Sequence, residues 1–139
     1  MEILIIDGQG GKLGRQLAES ILKAYPDVVL TAVGTNSIAT DNMRRAGVRR
    51  VATGENAVIF NAGQADVILG PLGIVLANAL LGEISPAMAA AVSSSRALRI
   101  LIPMNQCSTL VAGVAEAPVG AILADALQKL DAVLRQKAE

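Results

Sequence analysis

Short apolar runs alternate with amphipathic segments along most of the chain. Ile3-Leu4-Ile5-Ile6 is an unbroken apolar run, the pattern of a strand covered on both faces. Residues 13–25 follow with Leu17, Ile21 and Leu22 at helical spacing, and Pro26 marks the stop. Residues 28–33 predict a second strand. Residues 37–46 predict a short helix, with Arg44 and Arg45 in its last turn and Gly47 just beyond. A weaker third strand follows at 49–52, a short helix at 55–62, and a fourth strand at 67–69 ended by Gly70-Pro71. Residues 73–81 read as a helix interrupted at Gly82, and Ser85-Pro86 restarts it through Met88 to Val92. A fifth strand is expected at 98–102, and 109–114 has the composition of a sixth. Leu123, Leu127, Leu130 and Leu134 recur at helical spacing in a long terminal helix over 118–137.

Strand alternating with helix argues for parallel βαβ units. The most economical arrangement is an α/β, three-layer, Rossmann-like doubly wound parallel sheet of about five strands. A length of 139 residues suits one such domain spanning the chain.

Composition narrows the function classes. Lys+Arg and Asp+Glu each number 12, so the formal charge is zero, which argues against an electrostatic nucleic-acid binder. Tyr25 and Phe60 are the only aromatic residues, too few to stack a single strand. With no His, catalysis through Ser-His-Asp or Cys-His is absent, as are His-metal sites, and no metal site is expected. Cys107 stands alone, so no intrachain disulfide forms. The opening Met1-Glu2-Ile3 carries no basic leader, and a reducing, cytoplasmic setting is the default expectation. The uncharged stretches 67–82 and 100–115 are each shorter than the roughly 18–20 apolar residues a bilayer requires. The mean hydropathy of +0.50 then needs another outlet. A sheet covered on both faces absorbs part of it, and a homo-oligomer interface is expected to absorb the rest.

The densest local signal is Asp7-Gly8-Gln9-Gly10-Gly11-Lys12-Leu13-Gly14, placed between a predicted strand and a predicted helix. Glycines let backbone turn tightly and approach an anion, and a helix N-terminus offers unpaired N–H groups. The spacing is G-x-x-G-x-x-G through Gly8, Gly11 and Gly14, or G-x-G-x-x-x-G through Gly10. Neither is the strict dinucleotide fingerprint, and Arg15-Gln16 after Gly14 excludes a Walker A loop. The competing interpretation is a tight turn that packs helix on sheet and holds nothing. Asp7 opposes a phosphate unless it caps a backbone N–H or binds a metal.

Ligands in open α/β sheets gather at the carboxyl ends of strands. Strand two ends in Thr35-Asn36-Ser37, uncharged hydrogen-bonding residues with no acid for ribose hydroxyls, which tolerates NADP or a ligand without adenosine. Glu55, after strand three, is either an acidic first-turn residue or a general base. Gly70 and Pro71 either bring backbone to a ligand or force a turn. After strand five, Asn105 is a plausible ligand contact. Cys107 has no activating base and reads as inert, though a helix N-terminus would lower its pKa. Glu83 either reaches back over the sheet or solvates a turn.

Several phrases taken together resemble a known family: Asp7 to Gly11, Val33 to Thr40, Thr53 to Val58, Gly82 to Met88, and Ile102 to Cys107. They are similar to a family of small bacterial proteins known only as a domain of unknown function, over about residues 1–115. That resemblance implies one domain and carries no activity, substrate or catalytic residue. A looser resemblance, to nucleotide-binding domains of reductases, covers only the first βα turn.

The expectation is a small binding protein. It holds a phosphate-bearing ligand, NADP or another nucleotide, through Gly8, Gln9, Gly10, Gly11, Lys12 and Gly14 with Thr35, Asn36, Ser37, Gly70, Pro71 and Asn105. One alternative is a small enzyme, an NADP-linked reductase or a lyase, with Asp7, Glu55 and Cys107 as candidate catalytic groups. The other is a structural or assembly subunit.

Overall fold

The computed structural model describes residues 1–104 and 108–138. Five strands form one sheet: β1 (Glu2–Asp7), β2 (Val29–Gly34), β3 (Arg50–Thr53), β4 (Val67–Pro71) and β5 (Leu98–Ile102). All neighbours pair in parallel, in the order β3-β2-β1-β4-β5. The connecting helices are α1 (Lys12–Ala24), α2 (Ser37–Arg45), α3 (Glu55–Ala62) and α4 (Pro86–Ser94), with α5 (Val119–Ala138) closing the chain. This is the Rossmann-like, doubly wound α/β architecture.

The central strand explains the apolar run at its origin. Ile3 and Ile5 face one side and pack with Leu17, Ala18 and Ile21 of α1, Met43 of α2, and Ala126 and Leu130 of α5. Leu4 and Ile6 face the other side and pack with Val58 and Ala62 of α3 and Met88, Ala89 and Val92 of α4. A strand buried on both faces shows no alternation, because each side chain enters a core. The edge strands β3 and β5 begin at exposed Arg50 and Leu98, where only one neighbour covers them.

Two expectations change. The helix expected over 73–81 is a single 3-10 turn, Leu72–Val75, followed by a run of tight turns through 83. Asn78, Leu80 and Leu81 hold φ values of 66°, 57° and 57°, a left-handed conformation that no α-helix continues through. The expected sixth strand at 109–114 has no strand pairing, and its residues are largely exposed. Ser85 does cap α4: its hydroxyl accepts from the Met88 N–H at 3.1 Å, and Pro86 stands at the first helical position. Among the described residues, no helix is long and apolar enough to cross a membrane.

Topology fixes where a crevice opens. The chain leaves β1 toward the face that carries α1, and it leaves the adjacent β4 toward the face that carries α4. The two connections diverge above the β1–β4 seam, the place where open α/β sheets receive ligands.

Candidate functional site

The turn from β1 into α1 is held on every side by protein. The Gly11 N–H donates to the Gly8 carbonyl at 2.9 Å. The Asn36 amide donates to the Gln9 carbonyl at 3.0 Å, and the Asn42 amide donates to the Gly10 carbonyl at 2.9 Å. Arg15 in turn donates to the Asn42 side-chain oxygen at 2.9 Å. Three consecutive carbonyls are therefore engaged and the turn is rigid. The Gly8 and Gly14 N–H groups both donate to the Asp7 carboxylate, at 2.8 and 2.7 Å. Asp7 caps its own turn and the start of α1, the first of the two roles that let a carboxylate sit there. Among the described residues, the N–H groups of Gly10, Lys12 and Leu13 are left without an acceptor.

Most of the glycines serve packing. A Cβ on Gly11 would lie 2.6 Å from the Ala39 Cα, and Gly11 has φ 74°, so a side chain there is excluded on both counts. A Cβ on Gly14 would meet the Met43 sulfur at 2.6 Å. On Gly8 it would meet Leu80 Cδ1 and Thr35 Oγ1 at 2.8 Å, and on Gly70 it would run into the Ile6 carbonyl. Gly70 thus lets β4 close against β1, and Pro71 is buried beside it. Gly10 differs: nothing lies within 4 Å of a Cβ built there.

The end of β2 is not free of acid, contrary to the expectation from its sequence. Glu83 Oε1 accepts from the Thr35 hydroxyl at 2.5 Å, from Asn36 Nδ2 at 2.8 Å and from the Gln9 N–H at 2.8 Å. Asn36 also caps α2, its side-chain oxygen accepting from the Ala39 N–H at 2.9 Å. Ser37 is exposed and Lys12 is exposed. Burial pushes the Asp7 carboxyl upward, the Gly14 and Gly8 N–H groups oppose it, and the nearby Glu83 charge adds to the rise; the net shift is upward. For Glu83, partial burial also pushes up, but its three hydrogen bonds outweigh it and hold the carboxyl below its ordinary value.

Asp7, Gly8, Gln9, Gly10, Gly11, Lys12, Gly14, Thr35 and Asn36 therefore come together, with Ser37 at the rim and Gly70 and Pro71 at the seam. Glu55 does not join them. It is exposed, and its carboxylate accepts from the Ser85 hydroxyl at 2.5 Å, tying the start of α3 to the start of α4. Asn105 and Cys107 lie outside the described residues. Arg44 and Arg45 pair with Asp41 on the surface of α2. Asn42 is the one contributor with no local sequence signal, because its role depends on where α2 docks.

Residues 2–135 match the family model described as a domain of unknown function (DUF3842), an extent that runs past the quoted phrases into α5. No curated protein and no solved structure matches the chain. With a match across nearly its whole length, the chain belongs to the DUF3842 family of unknown function.

Proposed function

We propose that the protein binds a small phosphate-bearing ligand, nucleotide-like, at the β1–α1 turn above the β1–β4 seam. The observation that carries this reading is the division of labour in the turn. Its carbonyls are pinned by Gly11, Asn36 and Asn42, while the Gly10, Lys12 and Leu13 N–H groups have no acceptor among the described residues. A rigid turn with spare amides at a helix start favours an anion. Lys12 is exposed and has no acidic partner among the described ion pairs, so it supplies the positive charge. Open space at Gly10 supplies the approach.

The test is a dye-reported thermal shift against NADPH, NADH, ATP, GTP, FMN and inorganic phosphate, run on the protein and on Gly10→Leu. At 100 times its Kd a ligand adds about 2.7 kcal/mol, a shift of several degrees. A shift that Gly10→Leu abolishes supports the site. The reading is sunk by the absence of any shift, or by one that Gly10→Leu leaves intact. Gly11 is unsuitable for this purpose, since any side chain there damages the fold itself.

An assembly role is the second reading, favoured by one observation. A groove of about 790 Å³ runs between β5 and α5, lined by Leu98, Ile100, Val111, Val114 and Ile122 among others. Leu98, Val111 and Val114 are exposed by 50%, 43% and 51%, so an apolar surface is gathered beside an edge strand. Sedimentation velocity on the protein and on Leu98→Asp tests it: a dimer dissociated by the substitution supports it, and a monomer at micromolar concentration removes it.

A further inference from the structure

Glu83 occupies an anion cradle. One oxygen, Oε1, takes the Gln9 N–H, the Thr35 hydroxyl and the Asn36 amide, donors drawn from two strand ends. The other oxygen has no partner among the described hydrogen bonds. The carboxylate arrives on residues 76–85, a strap of tight turns laid over Gly8, with Leu80 packed on that glycine. Its backbone bonds close local turns: Asn78 N–H to the Ile84 carbonyl at 2.7 Å, Gly82 N–H to Asn78 and Ile84 N–H to Ala79 at 3.1 Å, and Ala79 N–H to Leu76 and Glu83 N–H to Leu80 at 3.2 Å. Leu80 and Leu81 hold positive φ, a region that bulky side chains avoid, and Asn78 holds it as asparagine readily does. Leu81, at the tip, is 97% exposed. Buried Ile74 and Ile84 anchor the two ends. The strap is thus a strained segment between fixed points, held down by buried Ala79 and Leu80 and by one carboxylate.

We propose that Glu83 is an internal surrogate for the ligand's acid group. In the closed state it fills the Gln9, Thr35 and Asn36 cradle. In the open state a phosphate oxygen of the ligand takes those donors and the strap lifts. Lifting also takes Leu80 off Gly8, leaving apolar surface beside the donors, which suits an oxyanion joined to a ring or other apolar body. This rests on the ligand site proposed above and names what the ligand must displace.

Inorganic phosphate is the probe, titrated against the protein, Glu83→Gln and Glu83→Ala while the Gln9 amide is followed by NMR. Phosphate is expected to bind at least tenfold more tightly to Glu83→Ala than to the unsubstituted protein. Glu83→Gln falls between them, because a neutral amide still fills the cradle. Both variants remove the same charge. Equal gains in the two would reduce the effect to repulsion and overturn the surrogate. A second readout needs no ligand: the Gly82, Glu83 and Ile84 amides should exchange faster in the alanine variant while β1 and β4 amides do not change. Unchanged strap exchange also overturns it. If phosphate binds all three proteins alike and Gly10→Leu abolishes it, the site stands and the surrogate falls. If phosphate binds none of them, the surrogate falls, while the ligand site is decided by the nucleotide panel above.

Discussion

Gly14 donates its backbone N–H to Asp7 at 2.7 Å, across seven residues, so α1 starts on a side chain that precedes the glycine turn. Asp7 is only 6% exposed, and its other oxygen accepts from its neighbour Gly8. Two buried N–H groups therefore depend on one carboxylate. Asp7→Asn puts an amide donor against one of them. The expected loss is about 1–3 kcal/mol, the effect of stranding a buried donor. Thermal denaturation checks it, and a melting temperature within a degree of the parent would show that the cap is dispensable.

Asp7 and Glu83 are also coupled by charge. Burial is the main reason the Asp7 carboxyl titrates above its ordinary 3.8, and the Glu83 charge adds to it. Glu83→Gln should lower the Asp7 midpoint without returning it to 3.8, read by carbon-13 NMR of the carboxyl; an unmoved midpoint would dismiss the coupling. The two carboxyls act oppositely on stability. Asp7, raised, favours the fold when protonated, and that contribution is lost as pH rises through its folded value. Glu83, lowered from 4.5, stabilises above that pH, and its contribution is lost as pH falls through its folded value.

The glycines of the turn should separate sharply on substitution. Gly11→Ala forces a side chain into φ 74° and onto Ala39, and should cost more than about 2 kcal/mol. Gly10→Ala meets nothing within 4 Å and should stay within about 0.5 kcal/mol of the parent. Denaturant melts of both variants settle it. Similar losses at the two positions would mean that the turn differs from the geometry described.

In the core that α5 shares with α1, Leu130 is fully buried and, with Ala126, is all that α5 commits entirely among the described residues. Leu130→Ala should cost about 2–5 kcal/mol, the range for a large-to-small core change. A calorimetric melt reads it. A loss below 0.5 kcal/mol would mean that α5 is not anchored there.

Much of this architecture is written in local pattern. Apolar runs such as Ile3–Ile6 and the leucines of α5 carry the periods that strands and helices need, and Ser85-Pro86 announces a helix start. Residues 73–81 mislead because their apolar content suits a helix, while the backbone they adopt is left-handed at Asn78, Leu80 and Leu81. Composition does not encode that choice; packing over Gly8 does. Within the site, the glycine turn is legible because its parts are contiguous. The grip of Glu83 on Gln9 and Thr35 is not, since it spans 74 and 48 residues and exists only after the sheet has formed. Glycine density was also ambiguous in itself, for Gly8, Gly11 and Gly14 answer to neighbouring protein atoms as fully as they would to a phosphate.

The seam between β1 and β4 joins Ile3 to Val67, Leu4 to Ile68 and Ile5 to Leu69, partners more than sixty residues apart. Closing so long a loop is an expensive late event for a folding chain, after neighbours such as β1 and β2 can already have met. The cradle draws on both sides of that seam, Gln9 and Thr35 from one and Glu83 from the other. It has no partial form: a chain stalled before the seam closes has a glycine turn but no Glu83 above it. Occupancy of the cradle by Glu83 would therefore report that the β1–β4 seam has closed, and would separate chains that have closed it from those that have not.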